Sequence, residues 1–283
     1  MNIKNFDRII SNKPNSLFDS FKAITKNKFL IYCLIRKSIL TTYSQSIIGP
    51  LYFIFLPLFQ TIIFSFFLNN ILSLETNTSE NFILLLVSMT FWNFFSNCTV
   101  KCGSCYFINK RLITKVYFER LIFFAQTAIF SLIIFVINFL VTLITILIFF
   151  LFKKNIGVQL SYRILFLPLL LFYSIFFSVL IGVIIASLSI RFRDLLYGLN
   201  FSFQLLLFLS PVLYSLDKLQ GINYFIMLFN PCTFFLEFFI WCFYPNNEFN
   251  YNIFFINLIF LFVLVFLANF YYKKSNLVLS DEI

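Results

Sequence analysis

The chain has 283 residues, of which 61% are hydrophobic, 22% aromatic and only 11% charged. Ordinary globular proteins are about 45–50% apolar and about 25% charged, so this composition cannot supply a water-facing surface. It therefore excludes a soluble enzyme, and it equally excludes a disordered or collagen-like chain. The net charge of +10 needs no nucleic-acid partner, because basic residues beside a bilayer are attracted to anionic headgroups.

Missing residue types restrict the chemistry further. The chain contains no His, so Ser-His-Asp triads and His-ligated metals cannot form within it. Its 6 Gly never fall into the G-x-x-x-x-G-K-[ST] array of a phosphate-binding loop. We interpret the 6 Cys, including Cys98, Cys102 and Cys105, as small apolar filler. We expect no catalytic residue, no metal and no cofactor on this chain.

The first predicted element is an amphipathic helix over residues 16–46. Leu17, Phe18 and Phe21 recur at helical spacing, and the apolar run that follows is too short to cross a bilayer. A helix of this kind lies in the plane of the membrane interface. We regard its basic residues as candidate contacts for a lipid headgroup: Lys22, Lys26, Lys28, Arg36 and Lys37.

Charge-free runs then predict six membrane spans, at about 50–70, 81–100, 121–152, 164–190, 195–216 and 249–272. Six spans place both termini on one side. Most of the 21 Lys and Arg residues lie on that side, which the positive-inside rule makes cytoplasmic. Lys153, Lys154 and Arg163 lie on the other side, against this trend.

Residues 217–247, between the fifth and sixth spans, are apolar but interrupted. Breaks occur at Gly221, at Asn230-Pro231 and at Pro245, so each piece is too short to cross. The pattern predicts a pair of re-entrant or interfacial helices on the outer side. Glu237 is a single carboxylate in this segment, which is costly at membrane depth. It is either a functional residue or an anchor at headgroup level.

Five short motifs follow one another between residues 36 and 237. They are Arg36-Lys37 with Tyr43-x5-Gly49-Pro50-Leu51-Tyr52, Phe91-Trp92-Asn93-Phe94-Phe95 with Leu112-Ile113-Thr114-Lys115-Val116-Tyr117-Phe118-Glu119-Arg120, Arg191-Phe192-Arg193-Asp194, Leu209-Ser210-Pro211-Val212-Leu213-Tyr214, and Asn230-Pro231-x5-Glu237. Together they resemble the membrane subunit of type-2 ABC exporters for polysaccharides and polyol phosphates. These permeases export O-antigen, capsule or teichoic-acid chains. Glu119 stands where the family usually has Pro, and Tyr52 where Trp is commoner.

The resemblance implies an all-α membrane protein that forms a homodimer of single-domain, six-span subunits. Two copies of a separate ATPase subunit, carrying ATP and Mg, would dock on the cytoplasmic side of the inner membrane. Loop 106–120 would be the coupling helix, and 217–247 the outer gate helices. The implied contacts with the ATPase are Lys110, Arg111, Lys115, Glu119, Arg120, Arg191, Arg193 and Asp194. Anchoring of the loop by its basic residues, and an ion pair within 191–194, are the alternatives.

The expected cargo is a lipid-linked polysaccharide, with O-antigen favoured. Aromatic faces can stack on sugars without fixing one register, so the candidate path residues are Tyr52, Trp92, Tyr106, Tyr214 and Tyr224, with Glu237 at the gate. Aromatic residues that face lipid are the alternative interpretation. Two rival functions are a membrane-embedded glycan polymerase or ligase, which needs converging acids, bases or arginines on an outer loop, and a secondary lipid-oligosaccharide flippase with internal repeats. The sequence shows neither signature.

Overall fold

The computed structural model describes residues 17, 24–43, 49–67, 78–115, 119–152, 162–214, 216, 221–244 and 250–281. These residues form helices and turns, without a β-strand among them, which confirms the predicted all-α class. The α-helices, numbered in chain order, are α1 Lys28–Tyr43, α2 Gly49–Phe66, α3 Thr78–Gly103, α4 Cys105–Ile108, α5 Lys110–Lys115, α6 Leu121–Leu151, α7 Leu167–Ser189, α8 Asp194–Phe208, α9 Ile222–Phe229, α10 Pro231–Phe243 and α11 Tyr251–Asp281. A 3-10 helix, Tyr162–Phe166, leads into α7.

Helices α3 and α7 form the centre of the bundle. α3 packs against α2, α6 and α7, and α7 also packs against α11. The closest approach is at Gly182 of α7, where an added methyl group would overlap the Cβ of Cys102 on α3. At Gly103 an added Cβ would lie 2.9 Å from Cγ2 of Ile185. Such small residues let helices approach closely in a membrane, where association depends on van der Waals packing.

The larger of two buried groups, which we call the re-entrant cluster, surrounds α10 with aromatic rings. Phe235 and Phe239 of α10 pack against Phe91 of α3, with ring centroids 6.4 and 5.0 Å apart. Phe177 of α7 lies 5.1 Å from Phe235, and Phe135 of α6 lies 6.3 Å from Phe239. Aromatic pairs of this kind contribute beyond the area that they bury. Three long helices therefore hold α10 inside the bundle.

The smaller group, the loop-end cluster, combines the C-terminal end of α3, α4 and the start of α6. Tyr272 and Ala268, near the C-terminal end of α11, are fully buried in it, and so is Cys105. α3 enters the re-entrant cluster with residues 83–95 and the loop-end cluster with residues 98–102. The two clusters therefore lie at opposite ends of the bundle.

Four described helical segments are long and apolar enough to cross a membrane: Asn81–Gly103, Leu121–Leu151, Tyr162–Ser189 and Tyr251–Asn276. α9 and α10 together pass the same test but are bent by 88° at the break between them. The bend falls at Asn230-Pro231, the position that the sequence predicts. The apolar segments Phe55–Phe66 and Asp194–Phe208 are shorter than a span, so the count of six stays a prediction.

Several element boundaries differ from those read from the sequence. α11 continues past residue 272 to Asp281, because Lys273 and Lys274 end the apolar run but are good helix formers. α8 ends at Phe208, short of the predicted 216, since Pro211 follows and disfavours helix in the residue before it. Loop 106–120 contains two short helices in place of one. The side-chain amide and the backbone N–H of Asn109 both donate to the carbonyl of Cys105, which closes α4.

The contact between Gly182 and Cys102 yields a test of the helix packing. Gly182→Ala should lower the free energy of unfolding by about 1–3 kcal/mol, because the new methyl overlaps side chain and backbone of α3. Gly198→Ala on α8 is the matched control, since its Cβ meets nothing within 4 Å. It should be neutral or stabilise by up to about 1 kcal/mol. Thermal unfolding of the detergent-solubilised protein measures both, and equal midpoints for the two variants would contradict the packing.

Candidate functional site

Loop 106–120, at the end of the bundle that holds the loop-end cluster, has two different faces. Tyr106 and Asn109 are buried, whereas Phe107 and Ile108 between them are 59% and 63% exposed. Lys110 and Arg111, at the start of α5, are also exposed. The inward residues attach the loop to the bundle, and the outward residues present apolar surface beside positive charge. The sequence identifies the basic residues but not the exposed apolar pair.

Burial at the base of this loop raises the pKa of two groups. It raises the pKa of the Cys105 thiol well above its usual range. Burial, with Tyr272 close by, also raises the pKa of the Tyr106 hydroxyl. The Tyr106 ring packs edge-on against Phe124 of α6, with centroids 5.3 Å apart. Both groups stay neutral at physiological pH, as an apolar anchor requires.

Arg120 ends the loop and is half-buried just before α6. Its Nη1 donates to the backbone carbonyl of Ser275, at 3.2 Å, and to Oδ1 of Asn276, at 2.7 Å. Both acceptors belong to the last turns of α11, 155 and 156 residues further along the chain. Arg120 therefore joins the loop to α11. Pairing over such a separation leaves no local signal in the sequence.

The other predicted ATPase contacts lie in the loop itself and where α7 is followed by α8. Arg191 and Arg193, in the turn between α7 and α8, and Asp194, at the start of α8, are all exposed. Glu119 is half-buried beside Arg120. The backbone of Lys115 ends α5, and its side chain lies outside the described part of the structure.

At the opposite end, Asn230 joins two of the motifs found in the sequence. Its side-chain amide donates to the carbonyl of Leu209, at 2.7 Å, and to the hydroxyl of Ser210, at 3.0 Å. Its Oδ1 accepts from the backbone N–H of Cys232, at 3.0 Å, and so caps α10. One side chain thus fixes the bend between α9 and α10 to the end of α8.

Asn257 of α11 holds the same bend from another side. Its amide donates to the carbonyl of Pro231, at 2.9 Å, and its Oδ1 accepts from the hydroxyl of Tyr173 on α7, at 2.6 Å. Asn257 itself is only 2% exposed. Buried amides are costly unless both ends are bonded, so this contact fixes the relative position of α7, α10 and α11. Neither Asn257 nor Tyr173 is identified from the sequence.

The profile of the ABC-2 type transporter family matches residues 30–244, a range that includes the loop and the re-entrant bend. The chain belongs to this family. Two similar proteins are O-antigen export system permease proteins, both named RfbA and both from Klebsiella pneumoniae. They are 24% and 22% identical to this chain over 203 residues, which cover 71% of it and 75% of each relative. The resemblance carried by the five motifs is confirmed: this is a type-2 ABC exporter permease.

Two of the predicted path residues of the permease lie close to the bend, and Glu237 lies further along α10. The Tyr214 hydroxyl lies 3.1 Å from the carbonyl of Phe208 and 3.4 Å from Sδ of Met227, and the Tyr224 hydroxyl accepts from the Asn250 amide, at 2.9 Å. Glu237 is half-buried on α10. These residues belong to one end of the permease.

The remaining path candidates are placed differently. Trp92 is 4% exposed and packs near Phe203 inside the re-entrant cluster, and Tyr106 is 5% exposed at the loop end. Within one subunit neither side chain lines an open surface. The backbone of Tyr52 lies in α2, and its side chain is outside the described residues.

The predicted headgroup contacts are outward-facing where the structure describes them. Lys26, Lys28, Arg36 and Lys37 are exposed, and Lys22 lies outside the described residues. Ile31 and Leu34, on the inner face of α1, are buried in the loop-end cluster. Ser38 of α1 accepts a hydrogen bond from the Gln126 amide of α6, at 2.8 Å. α1 therefore lies against the bundle with its basic residues turned away from it.

Asn230 yields a test of the re-entrant bend. Asn230→Ala removes the helix cap and both amide donors, so it should lower the free energy of unfolding by about 2 kcal/mol. Asn230→Asp keeps an acceptor for the Cys232 N–H but has no donor for Leu209 or Ser210. It should fall between the Ala variant and the wild type. Thermal unfolding ranks the three proteins, and an Ala variant as stable as wild type would contradict the described contacts.

Proposed function

We propose that this permease forms, as a homodimer, the transmembrane path of an ATP-driven exporter of lipid-linked polysaccharide. O-antigen is the favoured cargo, because two similar proteins are named as O-antigen export permeases. A separate ATPase subunit, in two copies, would bind ATP and Mg and hydrolyse the nucleotide. This chain would bind no cofactor itself, in keeping with a sequence that lacks a phosphate-binding loop.

The two-faced loop is the observation that carries the proposal. Phe107 and Ile108 expose large apolar side chains next to Lys110 and Arg111, while Tyr106 anchors the loop inside the bundle. Interfaces that bind specifically combine apolar anchors with a charged rim. The loop thus suits a partner with an apolar recess and an acidic border. We assign this partner as the ATPase, with Arg191, Arg193 and Asp194 as further exposed contacts.

The orientation in the proposal follows from charge. The loop, the basic face of α1 and the end of α11 with Lys273 and Lys274 would face the cytoplasm, across the inner membrane from the re-entrant bend. Lys26, just before α1, and Lys28, Arg36 and Lys37 of α1 are exposed, so they can attract the pyrophosphate of a lipid carrier. The bend, with Tyr214, Tyr224 and Glu237, would form the outer end of the path.

The aromatic candidates contribute differently in this proposal. Tyr214 and Tyr224 are half-buried near the bend, so part of each side chain is accessible to a passing sugar chain. Tyr52 stays a candidate on the strength of its motif. We assign Trp92 and Tyr106 to packing, because each is buried within the subunit. The path would therefore be lined mainly near its outer end by aromatic side chains.

Deleting the gene in the native host tests the whole proposal. Lipid-linked polymer should accumulate inside the cells while the surface polysaccharide disappears, and the wild-type gene on a plasmid should restore export. Immunoblots of surface polymer and extraction of lipid-linked intermediates measure both effects. A deletion strain with a normal surface coat and no internal accumulation would refute a role in polysaccharide export.

Substitution of the exposed loop residues tests the docking surface. Phe107→Ser and Arg111→Glu should each weaken retention of the ATPase by about tenfold or more, because exposed anchors of an interface carry most of its binding energy. Lys274→Glu is the control, since it reverses an exposed charge on α11 outside the loop. Affinity purification of the tagged permease with quantified ATPase measures the effect. Full retention by both loop variants would place the ATPase elsewhere.

A further inference from the structure

Helix α11 makes polar contacts with functional elements at both of its ends. Near one end, Asn257 donates to the Pro231 carbonyl at the re-entrant bend, at 2.9 Å. Near the other end, Ser275 and Asn276 accept hydrogen bonds from Arg120, which ends the loop. The two contacts are separated by 19 helical residues, or about 29 Å at 1.5 Å per residue. One helix therefore touches both the loop and the bend.

The body of α11 between these contacts is built to stay straight. Residues 251–281 contain neither Gly nor Pro, the residues at which helices usually kink. Asn257, Ala268, Tyr272 and Ser275 are buried on the packed side of the helix, whereas the opposite side exposes Phe255, Ile259, Phe262, Phe266 and Phe270. A helix that packs on one side and contacts lipid on the other can slide or tilt without breaking its own hydrogen bonds.

We propose that α11 is a connecting rod that links movement of loop 106–120 to the re-entrant bend. In this role Arg120 and Asn257 are positioning residues at the two ends of the rod. Displacement of the loop moves Asn276 through its hydrogen bond with Arg120. The resulting shift of α11 changes the hydrogen bond that Asn257 donates to the Pro231 carbonyl. The inference rests on the proposed function, because the force on the loop comes from the docked ATPase.

α6 offers a second route by which movement of the loop could reach the re-entrant helices. It also begins at the loop, and Phe135 and Phe139 on it pack against Phe239 of α10, with centroids 6.3 and 6.4 Å apart. These contacts reach the body of α10, which is enclosed by other rings. The contact of Asn257 is with the bend itself, where α9 and α10 meet. If α6 carried the movement, cutting the Arg120 contact with α11 would leave the bend unaffected.

The first experiment uses the purified full-length permease without its motor. Asn276→Ala removes the side-chain acceptor of Arg120 at the loop end. Because the rod loses the shorter of its two hydrogen bonds with Arg120, amide hydrogen exchange in residues 222–229 should accelerate about threefold, although the change lies at the opposite end of the bundle. Lys274→Gln, an exposed neighbour on the same helix, should leave that exchange unchanged. Acceleration confined to the loop end would overturn the proposal.

The second experiment uses the permease with its ATPase in membranes. Ile226→Cys, at an exposed position on α9, is introduced after Cys33, the exposed native cysteine, is replaced by Ser. ATP with vanadate should change the maleimide labelling rate of this cysteine. Arg120→Gln should abolish the change, and co-purification with an ATP-hydrolysis assay measures whether the variant still carries its ATPase. Arg120→Lys, which retains one donor group, should preserve part of the response.

The possible results distinguish failure of the connecting-rod proposal from failure of the proposed function. Loss of the ATPase from Arg120→Gln would make Arg120 a docking contact and overturn its positioning role. A full nucleotide response in Arg120→Gln would overturn the rod directly. A wild-type permease that captures no ATPase would refute the proposed function, and hydrogen exchange in Asn276→Ala would then decide whether α11 joins the two ends.

Discussion

A polar group inside a bilayer must find its partner within the protein, since lipid offers none. In this permease that requirement places polar side chains where helices meet. Asn93 of α3 donates to Gln60 of α2, at 2.8 Å, and Thr90 of α3 shares a hydrogen bond with Thr142 of α6, also at 2.8 Å. Close glycine contacts then set how near the helices come. The bundle is thus held in register by a few directional bonds within a large apolar surface.

The same requirement shapes both ends of the molecule. A bend in the backbone at membrane depth leaves carbonyl and amide groups without helical partners, and side-chain amides replace them. Asn230 does this at the re-entrant bend, where it donates to the carbonyl of Leu209 and accepts from the backbone N–H of Cys232. Asn109 adds a side-chain bond to the carbonyl of Cys105 at the loop. Asn257 and Arg120 instead donate to carbonyls within α10 and α11, and so join these helices to other parts of the chain.

The sequence predicts those features that depend on neighbouring residues. Long apolar runs locate α3, α6, α7 and α11, and the break at Asn230-Pro231 follows from the conformational limits of proline. Motifs identify the family, because each occurs in order along the chain. Hydropathy does not predict that α11 continues to Asp281, beyond the predicted span end at 272, since an apolar run reports contact with lipid and not the continuity of backbone hydrogen bonds. The contacts of Arg120 and Asn257 cannot be predicted, because their partners are distant in the chain and chemically ordinary.

The unequal burial of the two re-entrant helices has a consequence for which of them can move. α10 is enclosed by rings, with nine of its residues buried, whereas α9 buries Met227 and Leu228 among its described side chains and exposes Ile222, Phe225 and Ile226. The eight residues of α9 span only about 12 Å. Displacing α9 about Asn230 would break fewer side-chain contacts than displacing α10, so the shorter helix is the more easily moved of the two.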